Sequence, residues 1–149
     1  MAFGSAPGAA IEFLTAALGQ PIADSGWTDA FSVYGTCPGT EVRGVEWPGL
    51  LMLFGDAVDE YSPAGDRHFM QWALGWFGPD PFGLKTPEGV GIGSGVDDVV
   101  EALQDVVLNP ADEILDPSFQ AETDRGALWG TFDDAEAVRY ITAGTACGE

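Results

Sequence analysis

The chain has 149 residues and a formal net charge of −19 at pH 7, from 24 acidic against five basic side chains. A surface this negative repels phosphate groups, so nucleic acid and anionic membranes are not expected partners. The length predicts a single domain over residues 1–149, and the 46% of hydrophobic residues is enough for a packed core. No window of the sequence has the length and hydropathy of a membrane span, and Met1-Ala2 leads into Phe3-Gly4-Ser5 without a secretion signal.

The first predicted element is an amphipathic helix at residues 7–18. Ser5 is a favourable N-cap residue, and Pro7 suits the first turn because an N–H there has no helical partner. Gly19 and Pro21 are expected to end the helix. Apolar residues at helical spacing form one stripe, which consists of Ala10, Ile11, Leu14, Ala17 and Leu18.

Short strands separated by turns are predicted between residues 26 and 86. Residues 41–47 alternate charged and apolar side chains, as a half-buried strand does, and the wholly apolar residues 50–54 predict a central strand. Pro48-Gly49 between them predicts the turn of a hairpin. The other predictions here are strands at residues 27–33 and 67–76, a turn at 37–39, an acidic loop at 56–66 and a loop at 78–86.

A second helix is predicted after Gly93. Ser94 is its expected cap, and Asp97 and Asp98 lie in the first turn, where the helix dipole favours negative charge. Its apolar stripe is predicted to consist of Val96, Val99, Val100, Leu103 and Val107. Strand candidates follow at residues 113–115 with 119–121, at 126–132 and at 137–143.

The residues that open the two predicted helices are alike. Phe3-Gly4-Ser5 aligns with Ile92-Gly93-Ser94, and each is followed by an amphipathic helix and by strands. This self-similarity predicts two copies of one unit, at about residues 3–77 and 90–147. We therefore predict an α+β fold: two α-β-β-β repeats with an antiparallel sheet and with helices packed on one face.

The two cysteines, Cys37 and Cys147, lie in glycine-rich, turn-like sequences. In a cytosolic protein they would be separate thiols, whereas in a secreted protein they would form one bridge. Their setting favours the bridge, which would connect the C-terminal segment to the first half of the chain. This predicts an extracellular or cell-envelope location.

Short motifs carry a resemblance to known families. Phe3-Gly4-Ser5, the helix after it and Leu18-Gly19-Gln20-Pro21 resemble the opening of SmpA/OmlA (BamE-like) domains, and two such units in tandem resemble the β-lactamase inhibitory protein-like fold. Three longer stretches, CPGTEVRGVEW, FGLKTPEGVGIGS and ITAGTACGE, are similar to uncharacterised secreted proteins or lipoproteins of actinobacteria. The resemblance implies a non-enzymatic extracellular or envelope binding domain. Two cysteines cannot supply one bridge per repeat, so no inhibitory residue is carried over.

Catalytic motifs are weak in this chain. The glycine-rich residues 89–94 precede a helix, but a Walker loop requires Gly-Lys-Ser/Thr and a dinucleotide fingerprint requires Gly where this chain has Val96. His68 is the single histidine, and no Gly-x-Ser-x-Gly nucleophile motif accompanies it. We predict that the chain is not an enzyme and has no cofactor. The alternative is a carboxylate-dependent hydrolase, because 24 acids allow a catalytic pair.

A metal site is also not predicted. A closed zinc site requires four Cys or His ligands, and this chain has three that lie far apart in sequence. Calcium remains an alternative because its ligands are oxygens, although no segment matches an EF-hand loop. The candidate acidic groups are Asp56, Asp59 and Glu60, and Asp112, Glu113 and Asp116.

The five tryptophans are the most informative feature for binding. Most are expected in the core, but aromatic residues near turns are candidate anchors for a protein partner. We predict that these anchors are Trp47, Tyr61, Trp76 and Phe77. The predicted function is a non-catalytic secreted or envelope domain that binds an unknown protein in an inhibitor-like manner, and a subunit of an extracellular assembly is a further alternative.

Overall fold

The computed structural model describes residues 1–145 and 147–148, and within them it has two helices and nine strands. The helices are α1 (Pro7–Leu18) and α2 (Val96–Ala102). The strands are β1 (Ala23–Asp24), β2 (Thr28–Ser32), β3 (Gly35–Trp47), β4 (Leu50–Gly55), β5 (His68–Leu74), β6 (Gln104–Asn109), β7 (Ser118–Thr123), β8 (Gly126–Phe132) and β9 (Val138–Gly144).

The predicted α+β class is wrong, because the protein is mainly β. Across the described residues, the strands form one antiparallel sheet with the order β1-β3-β4-β5-β9-β8-β7-β6, and β2 pairs with β3. The helices have only 12 and 7 residues, and each buries one side chain fully, Ala10 in α1 and Val99 in α2. The sheet itself supplies most of the core, so the helices do not form the packed layer that was predicted.

Helix α2 is shorter than predicted because the chain becomes extended at Leu103, with φ −106° and ψ 156°. Val107, predicted on the apolar stripe of this helix, therefore lies in β6, where it is 55% exposed. An apolar series at helical spacing crosses from a helix into a strand here. Strand β6 was missed for this reason.

Neither serine caps a helix as predicted. The N-cap residues are Ala6 and Gly95. The Ser5 hydroxyl donates to the Ala2 carbonyl at 2.6 Å, and the Ser94 hydroxyl accepts from the Gly91 amide at 3.1 Å. Each serine therefore fixes the turn before its helix.

Two further segments, residues 37–39 and 113–115, differ from the predictions. The predicted turn at residues 37–39 lies inside the long strand β3, where Gly39 has a φ of +96°. Residues 113–115 form no strand, and Ile114 and Leu115 are 91% and 66% exposed. By contrast, the predicted helix at residues 7–18 and the strand at 126–132 are confirmed at the predicted bounds.

The segments before the two helices make matching contacts with the sheet. The Gly4 amide donates to the Phe69 carbonyl at 2.9 Å, and the Phe69 amide donates to the Ser5 carbonyl at 2.8 Å. In the second half, the Gly93 amide donates to Val138 at 2.7 Å and the Val138 amide donates to Ser94 at 2.8 Å. Phe69 and Val138 lie at the start of β5 and β9, so the two segments contact the sheet in the same way. The α-β-β-β order predicted for each unit is wrong, because within the described ranges five strands follow α1 and four follow α2.

Both faces of the sheet are buried along β4, whose six residues are all buried. Alternate residues of a strand point to opposite faces, so Met52 packs with the helices and Leu51 packs on the other side. The larger core includes Ala10 and Val99 of the helices. The smaller core, on the opposite face, consists of Ala30, Tyr34, Cys37, Val42, Leu51, Leu53 and Ala73.

The predicted disulfide between Cys37 and Cys147 is confirmed. It lies against the smaller core, where Cys37 is 4% exposed. The Thr36 amide also donates to the Gly148 carbonyl at 2.7 Å, and the Gly148 amide donates to Thr36 at 2.9 Å. The C-terminal segment is therefore held alongside β3 by one covalent bond and two hydrogen bonds.

Candidate functional site

Four aromatic side chains form a continuous row on the face of the sheet that carries the disulfide. The ring centroids of Phe77 and Trp76 are 5.6 Å apart, those of Trp76 and Tyr140 are 6.0 Å apart, and those of Tyr140 and Trp129 are 5.6 Å apart. Trp129 on β8 pairs with Thr142, two residues from Tyr140 on β9, so the register places both rings on one face. We call these four residues the aromatic row.

The aromatic row is exposed at both ends and partly buried in the middle. Phe77 is 65% exposed and Trp129 is 38% exposed. Burial raises the pKa of the Tyr140 phenol above its usual value, so its hydroxyl stays neutral. Among the described residues, the buried Trp76 Nε1 has no hydrogen-bond acceptor, and a buried donor without an acceptor is uncommon in a folded protein.

A cleft of about 1230 Å³ runs beside the row. Trp76, Trp129 and Tyr140 contribute to its lining, and so do apolar side chains from two loops. Val33 follows β2 and Ile114 precedes β7, and their side chains are 87% and 91% exposed. Aromatic rings and exposed aliphatic side chains therefore surround one concavity, which we call the aromatic cleft.

The C-terminal segment contributes to the wall of the aromatic cleft through Cys147 and Gly148. The Cys147 amide donates to the Gln71 side-chain oxygen at 3.3 Å, and the Gln71 amide group donates to the Thr142 hydroxyl at 3.0 Å. Thr142 in turn donates to the Trp72 carbonyl at 2.6 Å. This chain of bonds and the disulfide fix the wall against β5 and β9.

Among the residues that the structure describes, the charged ones that line the aromatic cleft are Asp112, Asp116 and Arg139. Arg139 donates to the Asp116 carboxylate at 2.6 Å. Hydrogen bonds from the Ile114 and Leu115 amides lower the pKa of Asp112 below its usual value. The carboxylates of Asp112 and Asp116 therefore both accept hydrogen bonds, and the bonds to Asp112 favour its charged form.

The structure separates the four predicted anchors. Trp76 and Phe77 lie together in the aromatic row. Trp47 is 1% exposed and its Nε1 donates to the Gly19 carbonyl at 2.8 Å, so it belongs to the core and not to a binding surface. Tyr61 lines a pocket on the opposite face of the sheet.

Trp129 and Tyr140 also belong to the aromatic row, although they are not among the predicted anchors. A signal for Trp129 was present, because the alternation in residues 126–132 separates Trp129 from the buried Leu128 and Phe132. For Tyr140 no such signal exists. Its position beside Trp76 depends on the pairing of β5 with β9, which lie far apart in sequence.

The pocket on the opposite face has a volume of about 540 Å³ and a mainly apolar lining. We call it the apolar pocket. Buried side chains from the sheet form part of its walls, and Tyr61, Lys85, Glu88 and Arg125 contribute polar groups. The buried wall residues are Leu50, Met52, Phe69, Leu74 and Leu128.

His68 is buried, and both of its ring nitrogens have a hydrogen-bond partner. It is 2% exposed, and its Nε2 lies 3.0 Å from the Asp59 carboxylate while its Nδ1 lies 2.7 Å from the Asp66 carbonyl. The Thr145 hydroxyl donates to the same Asp59 oxygen at 3.0 Å. Burial by itself would raise the pKa of Asp59, but hydrogen bonds led by the one from His68 lower it below its usual value.

The acidic groups considered for calcium do not form a metal site. Within residues 1–145 and 147–148, no three Asp, Glu, His or Cys side chains are grouped so that they could hold a metal ion. The Asp56 carboxylate instead accepts from the Thr40 and Glu41 amides at 2.7 and 3.1 Å. Asp59 is engaged by His68, and Asp112 by two backbone amides.

Neither helix in the described part of the chain has the length and hydropathy needed to cross a membrane. Comparison with protein-family models, curated proteins and solved structures finds no significant match to this chain.

Proposed function

We propose that this chain is a non-catalytic, protein-binding domain of the extracellular space or the cell envelope, and that it binds a basic surface of its partner in the aromatic cleft. The observation that carries the proposal is the aromatic row, which presents Phe77 and Trp129 to solvent at either end. Tryptophan and tyrosine supply much of the binding energy in protein interfaces, since they combine a large apolar area with few rotatable bonds. The confirmed disulfide is compatible with an oxidising compartment.

Electrostatics favour a basic partner. The chain carries a net charge of −19, and Asp112, Glu113 and Asp116 are exposed at the loop that borders the cleft. Arg139, the basic residue in the cleft, is already paired with Asp116. A partner with arginine or lysine around an apolar centre would therefore complement this surface.

The hydrolase alternative receives less support from the same cleft. A general acid requires a carboxyl group whose pKa is raised, whereas the pKa of Asp112 is lowered by backbone amides. Asp116 is held by Arg139. Both described carboxylates of this cleft are thus engaged as hydrogen-bond acceptors.

The proposal is tested by panning the immobilised protein against a random-peptide phage library. We expect enriched peptides to combine basic with aromatic or aliphatic residues. Affinity for these peptides should fall about tenfold or more in the double variant Phe77→Ser/Trp129→Ser, which removes both exposed ends of the row. Isothermal titration calorimetry with the synthetic peptides measures this change.

The matched control is Phe13→Ser, because Phe13 is an exposed aromatic residue of α1, away from the cleft. Its affinity for the peptides should equal that of the wild type. Failure to enrich basic peptides would contradict the proposal. Equal loss of affinity in the control and in the cleft variant would contradict it too.

A subunit of an extracellular assembly is the second candidate. Strand β6 lies at one end of the sheet order, and Val107 and Leu108 on it are 55% and 46% exposed. An unpaired edge strand with apolar side chains is suited to pairing with another copy. Size-exclusion chromatography at two concentrations tests this candidate, and a monomer at both would contradict it.

A further inference from the structure

The apolar pocket lies on the face of the sheet opposite the aromatic cleft. Leu128 on β8 and Ala143 on β9 line the pocket, while their neighbours Trp129 and Thr142 point to the other face. Its volume of about 540 Å³ lies within the range of small-molecule sites, about 300–1,000 Å³. The two sites are therefore separate, and one does not depend on the other.

The helices leave part of this face of the sheet uncovered at the pocket. Helix α1 contributes Leu14 to the lining, and the largest continuous part of the lining comes from the irregular residues 84–88. Beneath them lie the buried side chains of Leu50 and Met52 on β4 and the half-buried Trp72 on β5. An apolar chain could occupy this space without displacing a polar contact of the protein.

The basic side chains of the protein differ in how closely a carboxylate approaches them. Three of the five are held by carboxylates at 2.5–2.6 Å, and these pairs are Arg43–Asp24, Arg67–Glu41 and Arg139–Asp116. The other two, Lys85 and Arg125, both line the apolar pocket. Arg125 lies 3.7 Å from Glu88, too far for a hydrogen bond. Among the described residues, Lys85 has no carboxylate within 4.0 Å.

Lys85 and Arg125 are exposed and the apolar walls are buried, so both cations lie at the mouth of the pocket, where the half-buried Glu88 is also part of the lining. In a chain with a net charge of −19, two basic side chains and one acidic side chain give this mouth a local excess of positive charge. An apolar interior with a positive mouth complements a molecule that has an apolar chain and an anionic end.

We propose that the apolar pocket binds the anion of a single-chain fatty acid. The alkyl chain lies against Met52 and Trp72, and the carboxylate accepts hydrogen bonds from Lys85 and Arg125. Burial of each further methylene should raise the affinity about fourfold until the pocket is full. The carboxylate should add to the affinity, since hydrogen bonds between charged groups are stronger than those between neutral groups.

Isothermal titration calorimetry with decanoate and dodecanoate, below the concentrations at which they form micelles, tests the proposal. We expect saturable binding of both, with dodecanoate the tighter ligand. Dodecan-1-ol should bind more weakly because it lacks the charge, and dodecyltrimethylammonium more weakly still. Absence of saturable binding, or equal affinity for the acid and the alkylammonium ion, would overturn the proposal.

Variants test whether the basic side chains at the mouth of the pocket, and not a basic side chain elsewhere, bind the carboxylate of the ligand. Lys85→Gln/Arg125→Gln should weaken dodecanoate binding about tenfold or more and leave dodecan-1-ol binding unchanged. Lys85→Arg/Arg125→Lys should keep the affinity for dodecanoate. Arg139→Gln is the matched control, because Arg139 lies in the aromatic cleft, and it should bind dodecanoate as the wild type does. If the variant Lys85→Gln/Arg125→Gln bound dodecanoate as tightly as the wild type, the proposal that Lys85 and Arg125 bind the carboxylate would be overturned.

Discussion

Ala73 of β5 and Thr142 of β9 face each other in the register at the middle of the sheet. On either side of this pair, Trp72 faces Ala143 and Leu74 faces Ile141. Gln71 also faces Gly144, so four pairs connect β5, the last strand before α2, with β9, the last strand after it. Gly75 lies close to the backbone of Arg139, and Gly144 lies close to the backbone of Met70.

Gly75→Ala should be strongly destabilising. Gly75 has a φ of +79°, and an added Cβ would overlap the Arg139 carbonyl oxygen of β9. Strain and overlap together are expected to lower the free energy of unfolding by about 2–4 kcal/mol. Urea denaturation measures this loss. Gly78→Ala is the matched control, because Gly78 has a similar φ of +94° with no atom within 4 Å of its Cβ position. A loss as large for Gly78→Ala would mean that the close approach of β5 and β9 is unimportant.

Removal of the disulfide should destabilise the protein and loosen the wall of the aromatic cleft. The bridge spans 110 positions, and the double variant Cys37→Ser/Cys147→Ser should lose about 2–5 kcal/mol of the free energy of unfolding. Guanidinium denaturation with and without reductant measures the loss. Reductant should shift the midpoint of the wild type and leave that of the variant unchanged. An unchanged wild-type midpoint would show that the bridge does not contribute.

Asp59→Asn should destabilise the protein at neutral pH by about 1–3 kcal/mol, because the buried His68 loses a charged acceptor. The pKa of Asp59 is lower in the folded than in the unfolded protein. Its contribution is therefore present above the usual value of 3.8 and is lost as the pH falls through the folded pKa. The difference between variant and wild type should shrink as the pH falls below this value.

Thermal unfolding followed by circular dichroism over this pH range checks the prediction for Asp59. Asp134→Asn is the control, since Asp134 is an exposed carboxylate and its removal changes the net charge equally. If the difference in stability between Asp59→Asn and the wild type did not change with pH, the predicted link between the pKa of Asp59 and stability would be contradicted.

Trp47→Phe should affect stability and leave the binding surfaces unchanged. Trp47 is buried, and the change removes the donor to the Gly19 carbonyl, at a cost of about 1–3 kcal/mol. Trp129→Phe should change stability by less than about 0.5 kcal/mol, because its ring is partly exposed and the substitution keeps an aromatic side chain. Urea denaturation of both variants measures the two changes in stability. Quenching by iodide measures exposure to solvent, and it should be greater for the fluorescence of Trp129 than for that of Trp47.

Local sequence patterns determined several elements of this protein by themselves. The apolar stripe and its terminators predicted α1, the alternation in residues 126–132 predicted β8, and the glycine-rich settings of Cys37 and Cys147 predicted the bridge. The helix and the strand depend on neighbours in sequence. The bridge was predicted correctly although Cys37 lies in β3 and not in the predicted turn. The same patterns failed where one apolar series passes from α2 into β6.

Only the tertiary structure decided that the strands join into one sheet and that both candidate sites lie on it. The pairing of β5 with β9 brings Trp76 beside Tyr140, and the fold brings Lys85 and Arg125 to one apolar mouth. Such contacts connect residues that are distant in sequence, so no local period encodes them. Burial is decided in the same way: Trp47 and Phe77 both lie next to turns, but the packing of α1 and the sheet buries the first and leaves the second exposed.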